Sequence, residues 1–171
     1  MKNIFKPDYY VTSIYNISFG KLREMGIRNA LIDIDNTLMP WGSERADDRV
    51  RDLVRELKEE GIRPCILSNA PKNRVKTFVE NLDIDFYSSG RKPMKMTFLG
   101  ALKKLGAKPK NTCIIGDQIF TDILGGNRIG LYSILVDPID KNESLHTQWI
   151  RAIERIIKKK LNYAKELMKG E

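Results

Sequence analysis

The chain has 171 residues, of which 42% are hydrophobic and 30% charged, and its formal net charge is +8. This length suits one domain with its own hydrophobic core, and the composition excludes a disordered chain and a membrane bundle. The positive charge favours an anionic partner, which could be a phosphate ester, a nucleic acid or an anionic lipid surface.

The beginning of the chain does not have the features of a targeting segment. Residues 1–7 carry charge, but neither an apolar core nor a small-residue cleavage site follows them. Nowhere does the sequence contain the run of about 20 apolar residues that a membrane-spanning helix needs. We therefore expect a cytoplasmic protein.

From Asn29 onward, short apolar runs alternate with segments of helical periodicity, a pattern typical of a parallel sheet flanked by helices. The runs predict five strands, at residues 30–32, 65–67, 86–87, 113–115 and 133–136. Right-handed crossovers would then produce a single α/β domain, a three-layer Rossmann-like sandwich around a mainly parallel five-stranded sheet.

The connections between these strands carry apolar residues at helical spacing. The predicted helices are marked by Val50, Leu53, Val54 and Leu57 before Gly61, by Val75, Phe78, Val79 and Leu82, by Met96, Leu99, Leu102 and Leu105 before Gly106, and by the helix start at 121–124. One helix in each connection leaves no room for a cap domain between Thr37 and Ser68 or between Ser68 and Lys92. An open, capless site would suit substrates that are large or embedded in a surface.

The cysteines and the single histidine narrow the possible chemistry. Cys65 and Cys113 lie inside apolar runs, where a thiol usually behaves as a small buried hydrophobe. His146 alone cannot form a multi-histidine zinc site, and no Gly-x-Ser-x-Gly segment supports a serine triad. We interpret His146 as a surface or helix-start residue, so catalysis should rest on carboxylates, hydroxyls and lysine.

Polar residues stand directly after four of the predicted strands, where open α/β sheets bind their ligands. They are Asp33 and Asp35 after the first strand, Ser68 and Asn69 after the second, Lys92 after the third and Asp117 after the fourth. Carboxylates that converge in a cleft repel one another and usually imply a bound hard cation. Mg2+ is the natural candidate because it bridges carboxylates to phosphate.

These residues resemble, in order and spacing, the four motifs of the haloacid dehalogenase (HAD) superfamily. The matching segments are Asp33-x-Asp35-x-Thr37, Ser68, Lys92 before Pro93, and Gly116-Asp117 with Asp122. Residues 35–38, 116–122 and 125–128 are similar to the YqeG-type branch of subclass IIIA, which includes phosphatidylglycerophosphate phosphatases. The resemblance extends from Pro7 to about Pro138.

The resemblance implies a Mg2+-dependent phosphomonoester hydrolase. Asp33 would attack phosphorus and form an aspartyl-phosphate, while Asp35 would protonate the leaving alkoxide and then deprotonate the attacking water. Asp33, Asp117 and the backbone carbonyl of Asp35 would hold Mg2+.

Further residues are implied around this centre. Ser68, Asn69 and Lys92 would bind the phosphate. Thr37 and Asp122 would lie behind the metal ligands, with Asp122 orienting a metal-bound water or Lys92.

Two further features have more than one interpretation. Asn127 and Arg128 could reach a substrate phosphate or cap the preceding helix. Trp41 could cover the active site or pack into the core.

The C-terminal segment, about 144–168, predicts a basic amphipathic helix. Isoleucine and leucine recur at helical spacing among residues such as Lys158, Lys159 and Lys160. The helix could lie on anionic lipid, giving a cytoplasmic protein that is peripheral at the membrane. It could equally pack on the sheet and expose a solvated basic face.

Three functions remain in competition, and the sequence does not indicate the oligomeric state. Phosphatidylglycerophosphate, and thus phospholipid metabolism, leads by resemblance, and soluble nucleotide or sugar phosphates are the alternative substrates. A basic nucleic-acid-binding module on the same fold is disfavoured, because such a module has no need for Asp35.

Overall fold

A computed structural model describes residues 3–88 and 91–140. The strands are β1 (Tyr9–Val11), β2 (Asn29–Ile32), β3 (Arg63–Ser68), β4 (Asp85–Ser88), β5 (Thr112–Gly116) and β6 (Tyr132–Val136). The helices are α1 (Phe19–Glu24), α2 (Asp48–Glu59), α3 (Lys72–Val79), α4 (Lys95–Leu105) and α5 (Leu124–Asn127). Short 3-10 turns lie at Ile14–Asn16 and Pro109–Asn111.

The strands form one parallel sheet in the order β1-β6-β5-β2-β3-β4. From β2 the chain runs outward through β3 and β4, and then returns to the other side of β2 to form β5 and β6. The order therefore reverses between β2 and β5, which is where open α/β sheets form their ligand clefts. The predicted α/β class and parallel sheet are confirmed.

Two helical layers cover the sheet, because successive side chains of a buried strand point to opposite faces. Ile32 of β2 packs in the apolar cluster that holds Val50 and Leu57 of α2. Leu31, one position earlier, packs with Phe98 of α4 on the other face. Neither face of β2 is exposed, which explains its unbroken apolar run.

Within the described residues the sheet has six strands, and the prediction of five was wrong because β1 was missed. This edge strand has only three residues and pairs with β6, far away in the sequence. Its pairing depends on Asp8, whose Oδ2 accepts hydrogen bonds from Ser133 N at 2.8 Å and Ser133 Oγ at 3.2 Å. Such a non-local anchor has no periodic signal in the sequence, and α1 was missed as well.

The predicted apolar face of α4 was also partly wrong. Met96 and Leu99 are 72% and 43% exposed, whereas Phe98, Ala101 and Leu102 are buried. A strict spacing of three residues drifts by about 60° per step on a helix of 3.6 residues per turn. The buried positions instead follow the i, i+3, i+4, i+7 pattern, which ends at Leu105.

The remaining predictions for the described residues agree with the structure in outline. The helix start at 121–124 is a turn of π-helix at Ile119–Ile123 that leads into α5. Cys65 and Cys113 are buried free thiols, and burial raises the pKa of each to about 12. His146 and the predicted helix at 144–168 lie outside the described residues.

Among the helices of the described chain, none has the length and apolar character to cross a membrane.

Candidate active site

Three buried carboxylates meet at the point where the strand order reverses. Asp33 follows β2 and Asp117 follows β5, and the Asp33 N–H donates to Ile115 O at 3.0 Å, which continues the strand pairing. Asp122 joins them from the π-helical turn. One carboxylate oxygen from each lies within 4.8 Å of the others, a spacing that could hold a metal ion.

Lys92 enters this group from the loop after β4. Its Nζ lies 2.9 Å from Asp33 Oδ1 and 2.7 Å from Asp122 Oδ1, and its side chain is only 2% exposed. We call Asp33, Lys92, Asp117 and Asp122 the buried cluster. With every group ionised, three carboxylates and one lysine give it a net charge of −2, which a bound divalent cation would balance.

Burial and crowding of like charges change the acidity of the cluster. Burial raises the pKa of Asp33 to about 7, against the attraction of Lys92, and repulsion from Asp122 adds to the rise. Burial alone would lower the pKa of Lys92, but the attraction of Asp122 and Asp33 moves it above its ordinary range. Lys92 is therefore a permanent cation in the site.

Asp122 occupies its place because Gly116 has no side chain. A Cβ at Gly116 would collide with the Asp122 carboxylate. Asp122 Oδ2 accepts from Gln118 N and Thr121 Oγ1, both at 3.3 Å, so the turn that carries it also fixes it. Asp122 Oδ1 contacts Lys92 Nζ at 2.7 Å, and the role of Asp122 as an orienting group stays a prediction.

The predicted phosphate-binding and supporting residues lie around the cluster. Thr37 Oγ1 donates to Asp117 Oδ1 at 3.3 Å. Ser68 is buried at the end of β3, and its Oγ accepts from Ala70 N at 3.1 Å. Asn69 Oδ1 accepts from Lys92 N at 2.8 Å, so Asn69 fixes the backbone that presents the lysine.

Asp35 lies outside the buried cluster, and its main partner, Arg74, was missed in the sequence. Two guanidinium nitrogens of Arg74 donate to the two Asp35 carboxylate oxygens at 2.7 and 2.8 Å. This bidentate hydrogen bond is the main reason that the pKa of Arg74 is raised. We call Asp35 and Arg74 the outer pair.

Asn127 and Arg128 lie at the end of α5, and neither has a described hydrogen bond to a residue of the buried cluster. Asn127 Nδ2 donates to Ile4 O and Lys6 O, both at 2.9 Å, and its Oδ1 accepts from Ser133 Oγ at 2.8 Å. Arg128 is exposed and its Nη1 lies 3.5 Å from Pro93 O.

Trp41 lies in the loop after Asp35 and is 60% exposed. The alternative that it packs into the core is therefore wrong.

Comparison with known proteins agrees with this geometry. A family model described as HAD-hydrolase-like matches residues 89–152. The chain is 40% identical over 157 residues to the probable phosphatase YqeG of Bacillus subtilis (strain 168), an alignment that covers 92% of this chain and 91% of that one. The chain belongs to the HAD superfamily, in its YqeG-like branch. The predicted family and the assignment as a HAD-type phosphatase are confirmed.

More distant similarities agree with this HAD assignment. The chain is 25% identical over 114 residues to the ribulose-1,5-bisphosphate 5-phosphatase of Halopiger xanaduensis, covering 61% of this chain and 48% of that one. A predicted HAD-like family hydrolase from Porphyromonas gingivalis shares the fold with a TM-score of 0.54 at 15% identity, over 77% of this chain and 98% of that one. NagD from E. coli K-12 does so with a TM-score of 0.54 at 17% identity, over 71% and 93%.

Proposed function

We propose that this HAD phosphatase is a Mg2+-dependent phosphomonoester hydrolase that acts through an aspartyl-phosphate on Asp33. The observation that carries the proposal is the buried cluster, in which three carboxylates meet at the reversal of strand order and two of them contact one lysine. Burying negative charge is costly, so a cluster with a net charge of −2 when its four groups are ionised favours a bound cation.

The donor set of the cluster fits Mg2+. Hard divalent cations prefer carboxylate oxygens, and here such oxygens lie within 4.8 Å of one another. Asp33, Asp117 and the Asp35 backbone carbonyl would hold the ion, with Asp122 beside them. The bound ion would supply neutralisation of the charge on the transferring phosphoryl group.

The chain's own residues account for both displacements. A carboxylate oxygen of Asp33 attacks phosphorus, the ester P–O bond breaks, and Asp35 gives a proton to the departing alkoxide. Water then attacks the phosphorus of the aspartyl-phosphate while Asp35 takes its proton, which releases phosphate and restores Asp33. Lys92 and Ser68 bind the phosphoryl oxygens throughout.

For the substrate, we propose phosphatidylglycerophosphate, on the basis of the resemblance and of exposed apolar side chains near the site. Trp41 lies in the loop after β2, and Met94 and Met96 follow Lys92 after β4, all three exposed. The carboxyl ends of parallel strands lie on the same side of the sheet, so the segments that carry these side chains begin on the side where the cleft forms. Apolar groups placed there could contact the acyl region of a lipid substrate.

A soluble sugar phosphate is the second candidate substrate. It is favoured by the activities for which two relatives are named, the ribulose-1,5-bisphosphate 5-phosphatase and the glyceraldehyde 3-phosphate phosphatase of Pyrococcus furiosus. The second is 26% identical over 49% of this chain and 39% of its own. Lipid and soluble phosphate esters carry different groups on the phosphate, so comparing the turnover of each distinguishes the two candidate substrates.

A substrate panel tests the function and the substrate together. We expect turnover of phosphatidylglycerophosphate in mixed micelles with Mg2+, none after EDTA, and no replacement by Ca2+, which prefers more ligands and looser geometry. Undiminished turnover in EDTA would contradict the metal role. Preference for sugar phosphates would reject the lipid substrate alone.

Matched variants test the apolar side chains around the cleft. Trp41→Ala and Met96→Ala should lower kcat/KM for the micellar lipid and not for p-nitrophenyl phosphate. Met25→Ala is the control. Met25 is also exposed, but it precedes β2 and so lies at the amino-terminal ends of the strands, opposite the cleft. An equal effect of all three would remove this support for a lipid substrate.

Peripheral contact with an anionic membrane through residues 144–168 stays a prediction, since this segment lies outside the described residues.

A further inference from the structure

The outer pair has two parallel hydrogen bonds and is largely buried, unlike a typical surface ion pair. Arg74 Nη1 donates to Asp35 Oδ2 at 2.8 Å and Nη2 to Oδ1 at 2.7 Å. Both side chains are only about one-fifth exposed, at 21% for Arg74 and 19% for Asp35. Bidentate arginine–carboxylate geometry fixes orientation as well as charge.

The same guanidinium also holds the loop that contains Asp35. Arg74 Nε and Nη2 donate to Ser43 O at 3.2 and 2.8 Å. Within the loop, Gly42 N donates to Asp35 Oδ1 at 2.9 Å. Arg74 of α3 thus connects both ends of the 35–43 loop to a helix, and the Asp35 carboxylate is the connecting point.

The two oxygens of Asp35 are not equivalent in this arrangement. Each carboxylate oxygen has two lone-pair positions. Oδ1 receives two donors, from Arg74 and Gly42, whereas Oδ2 receives one, from Arg74, among the described residues. Oδ2 keeps a lone pair that can carry a proton.

We infer that Arg74 is a positioning residue that holds Asp35 so that its Oδ2 exchanges the proton with the leaving oxygen and the attacking water. The inference rests on the proposed function, in which Asp35 is the general acid and base. Arg74 touches neither phosphate nor leaving group in this role. It acts through Asp35 and the loop that carries it, so its loss should depend on the leaving group and not only on stability.

The test compares two esters by kcat/KM, which reports the steps through departure of the leaving group. p-Nitrophenolate leaves with little help from an acid, whereas the alkoxide of glycerol 3-phosphate needs a proton. Arg74→Ala should lower kcat/KM for glycerol 3-phosphate roughly 100-fold and for p-nitrophenyl phosphate tenfold or less. Arg74→Lys should recover little, because an ammonium cannot make the bidentate contact.

A double-mutant cycle separates positioning from stability. If Arg74 acts only through Asp35, Arg74→Ala combined with Asp35→Asn should be no slower than Asp35→Asn alone. Arg55→Ala is the matched control, because Arg55 makes an exposed 2.7 Å pair with Asp52 on α2 and should leave both esters unaffected. Thermal unfolding checks each variant, and Arg74→Lys keeps the test available if the alanine variant does not fold.

The outcomes distinguish this inference from the proposed function. Additive losses in the cycle, or equal losses on both esters, would overturn the role of Arg74. If Asp35→Asn itself shows no difference between the esters, the general-acid role of Asp35 fails, and the proposed function with it. If kcat/KM falls more for glycerol 3-phosphate than for p-nitrophenyl phosphate in Asp35→Asn, but falls equally for both in Arg74→Ala, only the inference about Arg74 is rejected.

Discussion

The buried cluster and the outer pair place two aspartates, only two positions apart in the chain, in opposite surroundings. Asp33 is buried among other carboxylates, with Lys92 as its counter-charge. Asp35 is partly exposed and bound by Arg74 together with Gly42 N. The cluster has an excess of negative charge, whereas the outer pair is neutral.

This difference separates two tasks in one loop. An excess of buried negative charge favours binding of a cation and of a phosphoryl group that approaches with it. A neutral, hydrogen-bonded pair favours one fixed orientation, which proton transfer requires. Changes in the buried cluster should therefore alter both activity and charge-dependent stability, while changes in the outer pair should alter mainly the kinetics of proton transfer.

The largest effect is expected from Asp33→Asn, which should abolish phosphatase activity by at least about 10³-fold while preserving the fold. The amide keeps the shape of the side chain but removes the nucleophile and one negative charge. Turnover of p-nitrophenyl phosphate, measured beside circular dichroism, checks this. Asp52→Asn on α2 is the control, and a folded Asp33→Asn protein with normal turnover would refute the assignment.

The next largest effect concerns stability and pH in metal-free protein. The pKa of Asp33 is about 7 in the folded state and about 3.9 in an unfolded chain. Below pH of about 4 both states are protonated, and the contribution of Asp33 to stability is fully present. As pH rises towards 7 the unfolded state loses its proton first, so this stability is lost.

Asp33→Asn removes this titration. As the pH rises from 4.5 to 7.5, the variant should therefore gain roughly 2 to 4 kcal/mol of stability relative to wild type. This pH range covers most of the interval between the two pKa values of Asp33. Urea unfolding of both proteins in EDTA measures the difference. Asp52→Asn is the control, because it also removes one carboxylate but from an exposed position on α2. A flat curve for Asp33→Asn would mean that burial and the neighbouring carboxylates do not raise the pKa of Asp33.

The same contrast explains which parts of the molecule the sequence could predict. Strands β2, β3 and β5 are apolar runs buried on both faces, and their length and flanking polar residues are local signals. Asp33 and Asp117 were found because the carboxyl ends of such strands converge. Local pattern and topology thus located the buried cluster.

Arg74 could not be found in this way. It is one of 30 lysines and arginines, and its partner Asp35 is 39 residues away, in the loop after β2. Strand β1 was missed for the same reason, since Asp8 and Ser133 are 125 residues apart. Side chains that join distant segments one to one leave no periodic pattern to detect.

The smallest effect is expected from Asn127→Ala, which tests where the active site ends. Asn127 joins the backbone at Ile4 and Lys6 to Ser133 of β6, so it supports the edge of the sheet that carries β1. Losing these bonds should lower the free energy of unfolding by about 1 to 2 kcal/mol and leave kcat and KM unchanged. Arg128→Ala, in the neighbouring exposed position, should change stability by less than about 0.5 kcal/mol. Urea unfolding and p-nitrophenyl phosphate kinetics on both variants provide the measurement. A tenfold rise in KM without loss of stability would place Asn127 in contact with substrate and extend the site to the end of α5.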